Sequence, residues 1–198
     1  MTYAIIGSGA IGTALARQFA RTNTPVLIAN SRGPASLASL AQALGSAVRP
    51  VALWDALQAE TIILAVPFSA VEQVAAETAD WSGRVVIDAT NAINFTDFSP
   101  ADLGGRLSSD IVAAALPGAA IVKAFNTLPA AILAEEPGSD AGKRTIFHAS
   151  NNSQASAVAA ALIATLGYAP INLGRIDEGG RLQQFGGALM VHSLIKQA

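Results

Sequence analysis

The chain has 198 residues, of which 52% are hydrophobic and only 13% are charged. This length suits one α/β domain with a modest C-terminal extension. Charged residues usually make up about a quarter of a soluble domain, so we expect a large core or a surface partly covered by a partner subunit. The net charge is −2 without a basic run, which excludes a typical nucleic-acid-binding surface. The absence of cysteine excludes disulfides, thiolate metal sites and cysteine nucleophiles.

The apolar segments of the chain are short. None reaches, without interruption, the roughly 20 residues that a membrane-spanning helix needs. The apolar first residues lack the basic residues of a secretory leader and continue directly into a glycine pattern. We therefore expect a cytoplasmic protein with no membrane partner.

Short runs of branched apolar residues alternate with longer, alanine-rich segments along the first two thirds of the chain. The apolar runs predict β-strands at residues 3–6, 26–29, 61–66, 85–87 and 120–122. The segments between them predict helices at residues 10–21, 34–44, 70–79 and 108–116. This alternation is typical of a parallel sheet with helices on both faces.

The last third of the chain predicts a small C-terminal α/β lobe. It contains an expected strand at 145–149, a helix at 153–166, a strand at 168–173 and a final helix from about 181 to 196. The acidic, glycine-containing stretch 135–140 predicts a boundary loop. We therefore expect a main domain over residues 1–134 and a lobe over residues 135–198 that packs on it.

A glycine pattern follows the first predicted strand and opens the first predicted helix. Gly7, Gly9 and Gly12 have the spacing G-x-G-x-x-G. In a dinucleotide-binding turn the first glycine allows the tight turn, the second lets a pyrophosphate approach the backbone, and the third lets the helix pack closely on the strand. The helix N-terminus adds free N–H groups and a partial positive charge. The pattern thus predicts a dinucleotide site that also includes the intervening Ser8, Ala10 and Ile11.

The end of the second predicted strand indicates which dinucleotide binds. NAD sites usually place Asp or Glu about 20 residues after the glycines, where it binds the ribose hydroxyls. This chain has Asn30, Ser31 and Arg32 there, so no carboxylate repels a 2′-phosphate. Ser31 can donate a hydrogen bond to that phosphate and Arg32 can pair with it through its planar guanidinium. The sequence therefore predicts NADP(H) as the cofactor.

Several short motifs, taken together in this order, resemble the NADPH-dependent reductases of the deazaflavin coenzyme F-420. The dinucleotide-binding domain of the STEAP ferric reductases is similar. The resemblance covers essentially the whole chain and lies in the motifs at residues 6–12, 30–32, 65–67, 88–91, 122–127 and 180–183. It implies a Rossmann-type, doubly wound, mainly parallel sheet, and a flavin or coenzyme F-420 as redox partner of NADP(H). A C-terminus that ends soon after the last predicted helix is a departure from that family.

The resemblance also implies contacts around the nicotinamide. Residues matching Ala65, Val66 and Pro67 lie beside the nicotinamide ribose in that family. Because ligands bind outside the carboxyl ends of parallel strands, we expect the residues after the next two strands to face the same crevice. These residues are Thr90, Asn91, Phe125 and Asn126.

Few side chains are candidates for acid–base chemistry. We expect His148 and His192 to be structural, because neither has an evident partner or a metal-ligand spacing. Asp88 closes a strand, where a turn or cap role is expected. We therefore predict no catalytic residue and no metal. An acceptor with phosphate and carboxylate groups would need basic residues, for which Lys123, Arg106, Arg175 and Arg181 are available.

Three functions fit these observations. The first is an NADPH-dependent oxidoreductase that uses a flavin or deazaflavin. The second is a module that binds or senses NADP(H) without turnover. The third is a reductase of a small carbonyl or imine, although such reductases need a longer helical C-terminal domain. The apolar residues of the segment 182–195 further predict a homodimer in which the final helix buries surface or covers the acceptor site.

Overall fold

A computed structural model describes residues 1–78 and 80–197. The expected Rossmann-type fold is confirmed: the described residues form a mainly parallel sheet flanked by helices. The strands, in chain order, are β1 (Tyr3–Ile6), β2 (Val26–Ala29), β3 (Val48–Pro50), β4 (Thr61–Leu64), β5 (Val85–Asp88), β6 (Ile93–Asn94), β7 (Ser99–Pro100), β8 (Ala120–Ala124), β9 (Gly138–Ser139), β10 (Gly142–Ser150), β11 (Ala169–Asn172) and β12 (Ile195–Lys196).

Short helices connect these strands. The α-helices are α1 (Ala10–Arg21), α2 (Ala38–Leu44), α3 (Leu53–Ala56), α4 (Val71–Ala75), α5 (Ser108–Ala115), α6 (Ala130–Leu133), α7 (Ser153–Thr165) and α8 (Arg181–Gln183). Turns of 3₁₀-helix precede α2 at Pro34–Leu37 and α4 at Phe68–Ala70, and a π-helical turn, Ile176–Gly180, precedes α8. Among the described residues, no helix is long and apolar enough to cross a membrane.

The strand order in the sheet is β11-β10-β8-β5-β4-β1-β2-β3. All neighbours from β3 to β8 are parallel, whereas β10 runs antiparallel to β8 and parallel to β11. The order reverses between β1 and β4, because the chain first moves outward through β2 and β3 and then returns. In an open α/β sheet this reversal leaves a crevice at the carboxyl ends of the strands, where ligands bind.

The core lies on both faces of the sheet, because successive strand residues point to opposite faces. On one face, Ile5 and Ile63 pack with Phe19 of α1 and Leu162 of α7. The other face carries a second cluster, to which α3, α4 and α5 contribute. Burying an aliphatic side chain of this size stabilises a fold by roughly 1.5–3 kcal/mol. The apolar strands therefore hold the crevice on a rigid base.

Most predicted elements agree with the observed ones to within a few residues. Helix α1 has the predicted bounds, whereas α4 already ends at Ala75. The predicted end of that helix, Ala79, lies outside the described residues. The sequence did not reveal β3, α3, α6, the β6–β7 hairpin or β9, all of which are built from elements of four residues or fewer.

The predicted final helix at 181–196 is wrong. Helix α8 ends at Gln183, turns follow, and β12 then pairs with β10. Gly186 has a φ of 85°, a backbone conformation that residues with a side chain rarely adopt. A side chain at Gly187 would lie 2.6 Å from the carbonyl oxygen of Leu182. Two glycines in close turns therefore end a helix that the apolar pattern alone would continue.

The C-terminal strands β10 and β11 belong to the same sheet as the N-terminal strands. The link is the antiparallel pairing of β10 with β8, in which His148 lies opposite Ala124. The division into a domain 1–134 and a lobe 135–198 stays a prediction, and hydrogen bonds of the sheet cross it. The expected boundary loop at 135–140 includes β9, which pairs with β10.

Candidate functional site

The carboxyl ends of β1, β2 and β4 open into a cavity of about 640 Å³. It lies at the reversal of strand order, where the fold predicts a ligand. Three loops line it, each following one of these strands. The predicted site residues among its lining are Gly7, Ser8, Gly9, Asn30, Ser31, Arg32, Ala65, Val66 and Pro67.

Each of the three glycines of the loop after β1 occupies a different environment, so the reason for a glycine differs from one position to the next. Gly7 has a φ of 110°, and a side chain there would collide with the carbonyl oxygen of Ala65. A side chain at Gly12 would collide with the carbonyl oxygen of Gly7. Gly9, in contrast, has an ordinary φ of −73°, and no atom lies within 4 Å of the position that a methyl group would take there. The fold itself does not require a glycine at this position, so its surface is open to a ligand at the N-terminus of α1.

Gly9→Ala is expected to weaken NADPH binding at least tenfold, while the free energy of unfolding changes by less than about 1 kcal/mol. The added methyl group would occupy the space of the pyrophosphate without straining the backbone. Calorimetric titration with NADPH and urea denaturation measure the two effects. Gly138→Ala is the matched control, since Gly138 also has open space around it and lies in β9. Unchanged NADPH affinity in Gly9→Ala would contradict this assignment.

The loop after β2 is held in place by the side chain of Asn30. Its Nδ2 donates to Ser8 Oγ at 2.9 Å, and its Oδ1 accepts from the backbone N–H of Arg32 at 2.9 Å and from Ser36 Oγ at 3.1 Å. Asn30 thus links the glycine loop to the predicted phosphate-binding residues. The role of Ser36 was not predicted, because its contact with Asn30 depends on the 3₁₀ turn that follows Gly33.

Ser31 and Arg32 are both exposed at the cavity. Among the described residues, no carboxylate lies within ion-pair distance of Arg32. A cation on the rim of the cavity without a nearby carboxylate suits a phosphate group. The structure therefore places these two side chains where a 2′-phosphate could bind.

The other residues of the glycine loop take different positions. Ala10 lines a neighbouring cavity between α1 and α6, together with Arg17. Ile11 is half-buried and packs against the core, and Gly12 is buried. Ala10, Ile11 and Gly12 therefore form the start of α1 and do not line the main cavity.

The predicted nicotinamide residues that follow β5 and β8 lie outside the lining of the main cavity, unlike Ala65, Val66 and Pro67, which line it. Thr90, Phe125 and Asn126 are buried, and Asn91 is half-buried. Phe125 has a φ of 62°, which directs the chain sharply out of β8. Asn91 is the most accessible of the four, so direct contact of the others with a cofactor stays a prediction.

Amide side chains connect this region to the C-terminal segment. Asn91 Nδ2 donates to the carbonyl oxygen of Asn126 at 2.8 Å, and Asn126 Nδ2 donates to Asn91 Oδ1 at 3.0 Å and to the carbonyl oxygen of Gln183 at 2.7 Å. Gln183 Nε2 donates to the carbonyl oxygens of Phe147 and Lys123. The start of the C-terminal segment thus packs over the carboxyl end of β8 and the middle of β10; the sequence predicted a covering role for the apolar segment but not these hydrogen bonds.

Asp88 and Lys123 form a fully buried ion pair, with Nζ 2.9 Å from Oδ2. The two residues are opposite each other on β5 and β8. Asp88 Oδ1 accepts from the backbone N–H of Thr90 at 2.9 Å and from its hydroxyl at 2.6 Å, which confirms a turn role for Asp88. Lys123 also donates to the carbonyl oxygen of Thr90 at 2.5 Å. Lys123 is therefore a structural residue and is not available to an acceptor.

The other basic candidates are separated as well. Arg106 lines a cavity between α4 and α5, on the side of Trp81 and Pro117. Arg175 forms an exposed ion pair with Asp177, at 2.9 Å, and Arg181 donates to the carbonyl oxygen of Asp177. Only these last two arginines share a partner, so the four residues do not form one basic cluster.

Both histidines lie away from the cavity. His192 is exposed and lies in the turns that replace the predicted helix. His148 is buried in β10, with Nδ1 3.3 Å from Ser156 Oγ, and burial lowers its pKa below the usual 6.5. Within the described residues, no group of three or more His, Asp or Glu side chains could hold a metal ion.

The lowered pKa of His148 predicts that acid destabilises the fold. The unfolded chain takes up a proton near pH 6.5, whereas the folded chain takes it up only at lower pH. This contribution to stability is therefore present above about pH 6.5 and is lost as the pH falls. Urea denaturation at pH 7.5, 6.5 and 5.5 measures this effect. As the pH falls, the free energy of unfolding should decrease less in His148→Gln than in the wild type. His192→Gln should follow the wild type; equal pH dependence in all three proteins would contradict the prediction.

The far wall of the cavity was not predicted from the sequence. This wall is formed by Ala52 and Leu53 at the start of α3, and by Gln73, Val74 and Glu77 from α4 and the turn after it. Residues 73, 74 and 77 share one side of a helical turn because of their spacing. That spacing was visible in the sequence, but the position of α4 beside the cavity depends on the strand order.

Comparison with known proteins supports a common ancestry over the whole chain. A crystal structure of a hypothetical protein from Sinorhizobium meliloti is 51% identical, with a TM-score of 0.97, and the match covers 100% of this chain and 96% of that one. A proposed F-420-dependent NADP reductase from Arthrobacter is 21% identical, with a TM-score of 0.74, and covers 99% of this chain and 100% of the other. No curated protein matches the sequence.

Larger NADPH enzymes share the fold. An imine reductase from Aspergillus terreus, in complex with an NADPH form and dibenz[c,e]azepine, is 21% identical with a TM-score of 0.64. The match covers 88% of this chain but only 55% of the imine reductase. The model of the family described as NADP oxidoreductase, coenzyme F-420-dependent, matches residues 2–92, which include the glycine loop and the loops after β2, β4 and β5. This family match covers just under half of the chain, so the N-terminal part resembles the NADP oxidoreductase, coenzyme F-420-dependent, family, while the whole fold is shared with the hypothetical protein from Sinorhizobium meliloti.

Proposed function

We propose that this protein transfers a hydride between NADPH and a flavin or deazaflavin-type acceptor, with coenzyme F-420 as the first candidate. The observation that carries the proposal is the cavity at the reversal of strand order, with an open Gly9 at one end and Arg32 at the other. The N-terminus of α1 suits the pyrophosphate, and Ser31 and Arg32 suit the 2′-phosphate. NADPH-bound proteins of the same fold support NADP(H) as the cofactor.

The residues present fit a dinucleotide in this orientation. Ala65, Val66 and Pro67 follow β4 and line the cavity together with the glycine loop, so they would contact the nicotinamide ribose. When bound, NADPH supplies the hydride, and the protein positions it and excludes water. The small residues Gly7 and Ala65 let the β1 and β4 loops approach closely. This close packing would keep the dinucleotide in one extended conformation.

The residues expected beside the nicotinamide favour transfer between two cofactors over chemistry that needs an acid catalyst. None of them is a histidine, lysine, tyrosine or carboxylic acid: they are Ala65, Val66, Pro67, Thr90, Asn91, Phe125 and Asn126. Reduction of a carbonyl or imine requires a proton as well as a hydride, whereas a flavin-type ring takes the hydride directly by stacking. The imine reductase similarity, at 21% identity, concerns the fold.

The test is NADPH oxidation, followed by the loss of absorbance or fluorescence, with coenzyme F-420, FMN, a cyclic imine or no acceptor. Turnover that depends on coenzyme F-420 or FMN would support the proposal. Turnover with the imine alone would favour the small imine reductase. Tight NADPH binding without turnover under every condition would favour a binding or sensing module. Failure to bind NADPH would contradict all three functions.

We further propose a homodimer and a cytoplasmic location. The support for a dimer is a group of exposed apolar side chains on the β6–β7 hairpin and the C-terminal segment: Phe95, Phe98, Leu182, Val191, Leu194 and Ile195. The charge-poor composition agrees with a covered surface. Light scattering after size exclusion tests the dimer, and a single species of 20.1 kDa would contradict it. Cell fractionation tests the location.

A further inference from the structure

The cavity has walls on both sides of the glycine loop that follows β1: α4 and the turn after it lie on one side, and the loop after β2 lies on the other. The sheet order β4-β1-β2 places α4, which follows β4, and the loop 30–34, which follows β2, on either side of the glycine loop. Both contribute to the same cavity. The phosphate and the base are attached to the same ribose. A dinucleotide whose 2′-phosphate contacts Arg32 therefore has its adenine in the part of the cavity between the loop 30–34 and α4.

The apolar part of this end suits a planar base. Val74 is 7% exposed and Leu53 is half-buried, and both line the cavity together with Ala70 and Pro34. Flat aliphatic surfaces of this kind pack on the faces of a ring. The guanidinium of Arg32 can stack on the same ring while it pairs with the phosphate. These side chains can cover the faces of the base, which leaves its edge for hydrogen bonds to polar groups.

Two exposed polar side chains are available for these hydrogen bonds. Gln73 and Glu77 line the same cavity and are one helical turn apart. The carboxylate of Glu77 accepts hydrogen bonds only, whereas the amide of Gln73 can donate and accept. Adenine presents an amino group, which donates, beside N1, which accepts. The pair therefore has the complementary groups in neighbouring positions.

We propose that Glu77 and Gln73 determine the base specificity of the cofactor site. Glu77 accepts a hydrogen bond from the 6-amino group of adenine, and Gln73 Nε2 donates to N1. Hypoxanthine has a carbonyl oxygen at position 6, so its contact with the carboxylate of Glu77 becomes unfavourable, whereas the amide of Gln73 can turn to accept from its N1–H. This inference rests on the proposed NADP(H) function, and it assigns residues that recognise the base rather than the phosphate.

The alternative role for Glu77 is purely electrostatic. A carboxylate in the cavity would weaken binding of any ligand with a 2′-phosphate, whatever its base. In that case Glu77→Gln would raise the affinity for NADPH relative to NADH and leave the preference between bases unchanged. If Glu77 recognises the base, Glu77→Gln should instead weaken the preference for adenine and leave the preference for NADPH over NADH unchanged. The ratio of affinities for the two bases and the ratio for NADPH and NADH therefore distinguish the two roles.

The experiment measures the affinities of NADPH, NADH and reduced nicotinamide hypoxanthine dinucleotide phosphate by calorimetry. Wild type should bind NADPH about tenfold or more tightly than the hypoxanthine analogue. In Glu77→Gln that ratio should fall to about threefold or less, since an amide can also donate to the carbonyl oxygen, while the NADPH-to-NADH ratio stays the same. Glu77 is exposed, so the substitution leaves the core intact.

Glu72→Gln is the matched control. Glu72 is an exposed carboxylate on the same helix, but it lines the separate cavity between α4 and α5. This variant should keep the wild-type preference for adenine. Equal binding of NADPH and its hypoxanthine analogue by the wild type would overturn the inference and leave the proposed function standing. Binding of neither nucleotide would overturn the proposed function and the inference with it.

Discussion

Lys123→Met is expected to lower the free energy of unfolding by about 3–5 kcal/mol. The substitution leaves the carboxylate of Asp88 fully buried without its cation. An ionised carboxylate in an apolar interior is costly, and burying it as the neutral acid also costs free energy. The same change removes the hydrogen bond from Lys123 to the carbonyl oxygen of Thr90. This is the largest effect on stability that we predict for a single substitution.

Urea denaturation monitored by circular dichroism measures this loss. Lys143→Met is the matched control, because Lys143 is exposed on β10 and its removal should change stability by less than about 0.5 kcal/mol. The double variant Asp88→Asn with Lys123→Met should be more stable than Lys123→Met alone. Asn can still accept from the N–H of Thr90, and no buried charge remains. A single variant as stable as the wild type would contradict the structural role of the pair.

Arg32→Ala is expected to weaken NADPH binding tenfold or more, equivalent to about 1.5–3 kcal/mol, with little effect on NADH. The reason is the loss of a charge-assisted contact with the 2′-phosphate, which NADH lacks. Arg32 is exposed and lies outside the apolar core, so stability should not change. The NADPH affinity of Arg32→Lys should lie between those of the wild type and Arg32→Ala, since an ammonium keeps the charge but cannot form the paired contacts of a guanidinium.

Fluorescence or calorimetric titration of both nucleotides on each variant gives the result. Arg49→Ala provides the control, because Arg49 is an exposed arginine on the neighbouring strand β3 that does not line the cavity. Its NADPH affinity should equal that of the wild type. A wild type that prefers NADH, or an Arg32→Ala variant with unchanged NADPH affinity, would show that the loop after β2 has been misassigned. The proposed function would then lose its main support.

The local features of this protein could be predicted from the sequence because their causes are local. The apolar run before Gly7 and the alanine-rich segment after it define a strand and a helix, and α1 has the predicted bounds Ala10–Arg21. The spacing of Gly7 and Gly12 follows from the close approach of β1, α1 and the loop after β4. The absence of a carboxylate at residues 30–32 is likewise a property of a few neighbouring residues. The fold class and the family resemblance followed from these features.

The tertiary structure decided the features that depend on distant parts of the chain. The sequence alone leaves Lys123 available to an acceptor, but the pairing of β5 with β8 buries it against Asp88. The final segment has the composition of a helix, yet Gly186 packs against Pro100 and the chain turns away to form β12. Glu77 joined the candidate site only because the strand order brings α4 beside the cavity. Sequence patterns report the preferences of neighbouring residues, whereas burial, ion pairing and cavity walls depend on which strands become neighbours in the sheet.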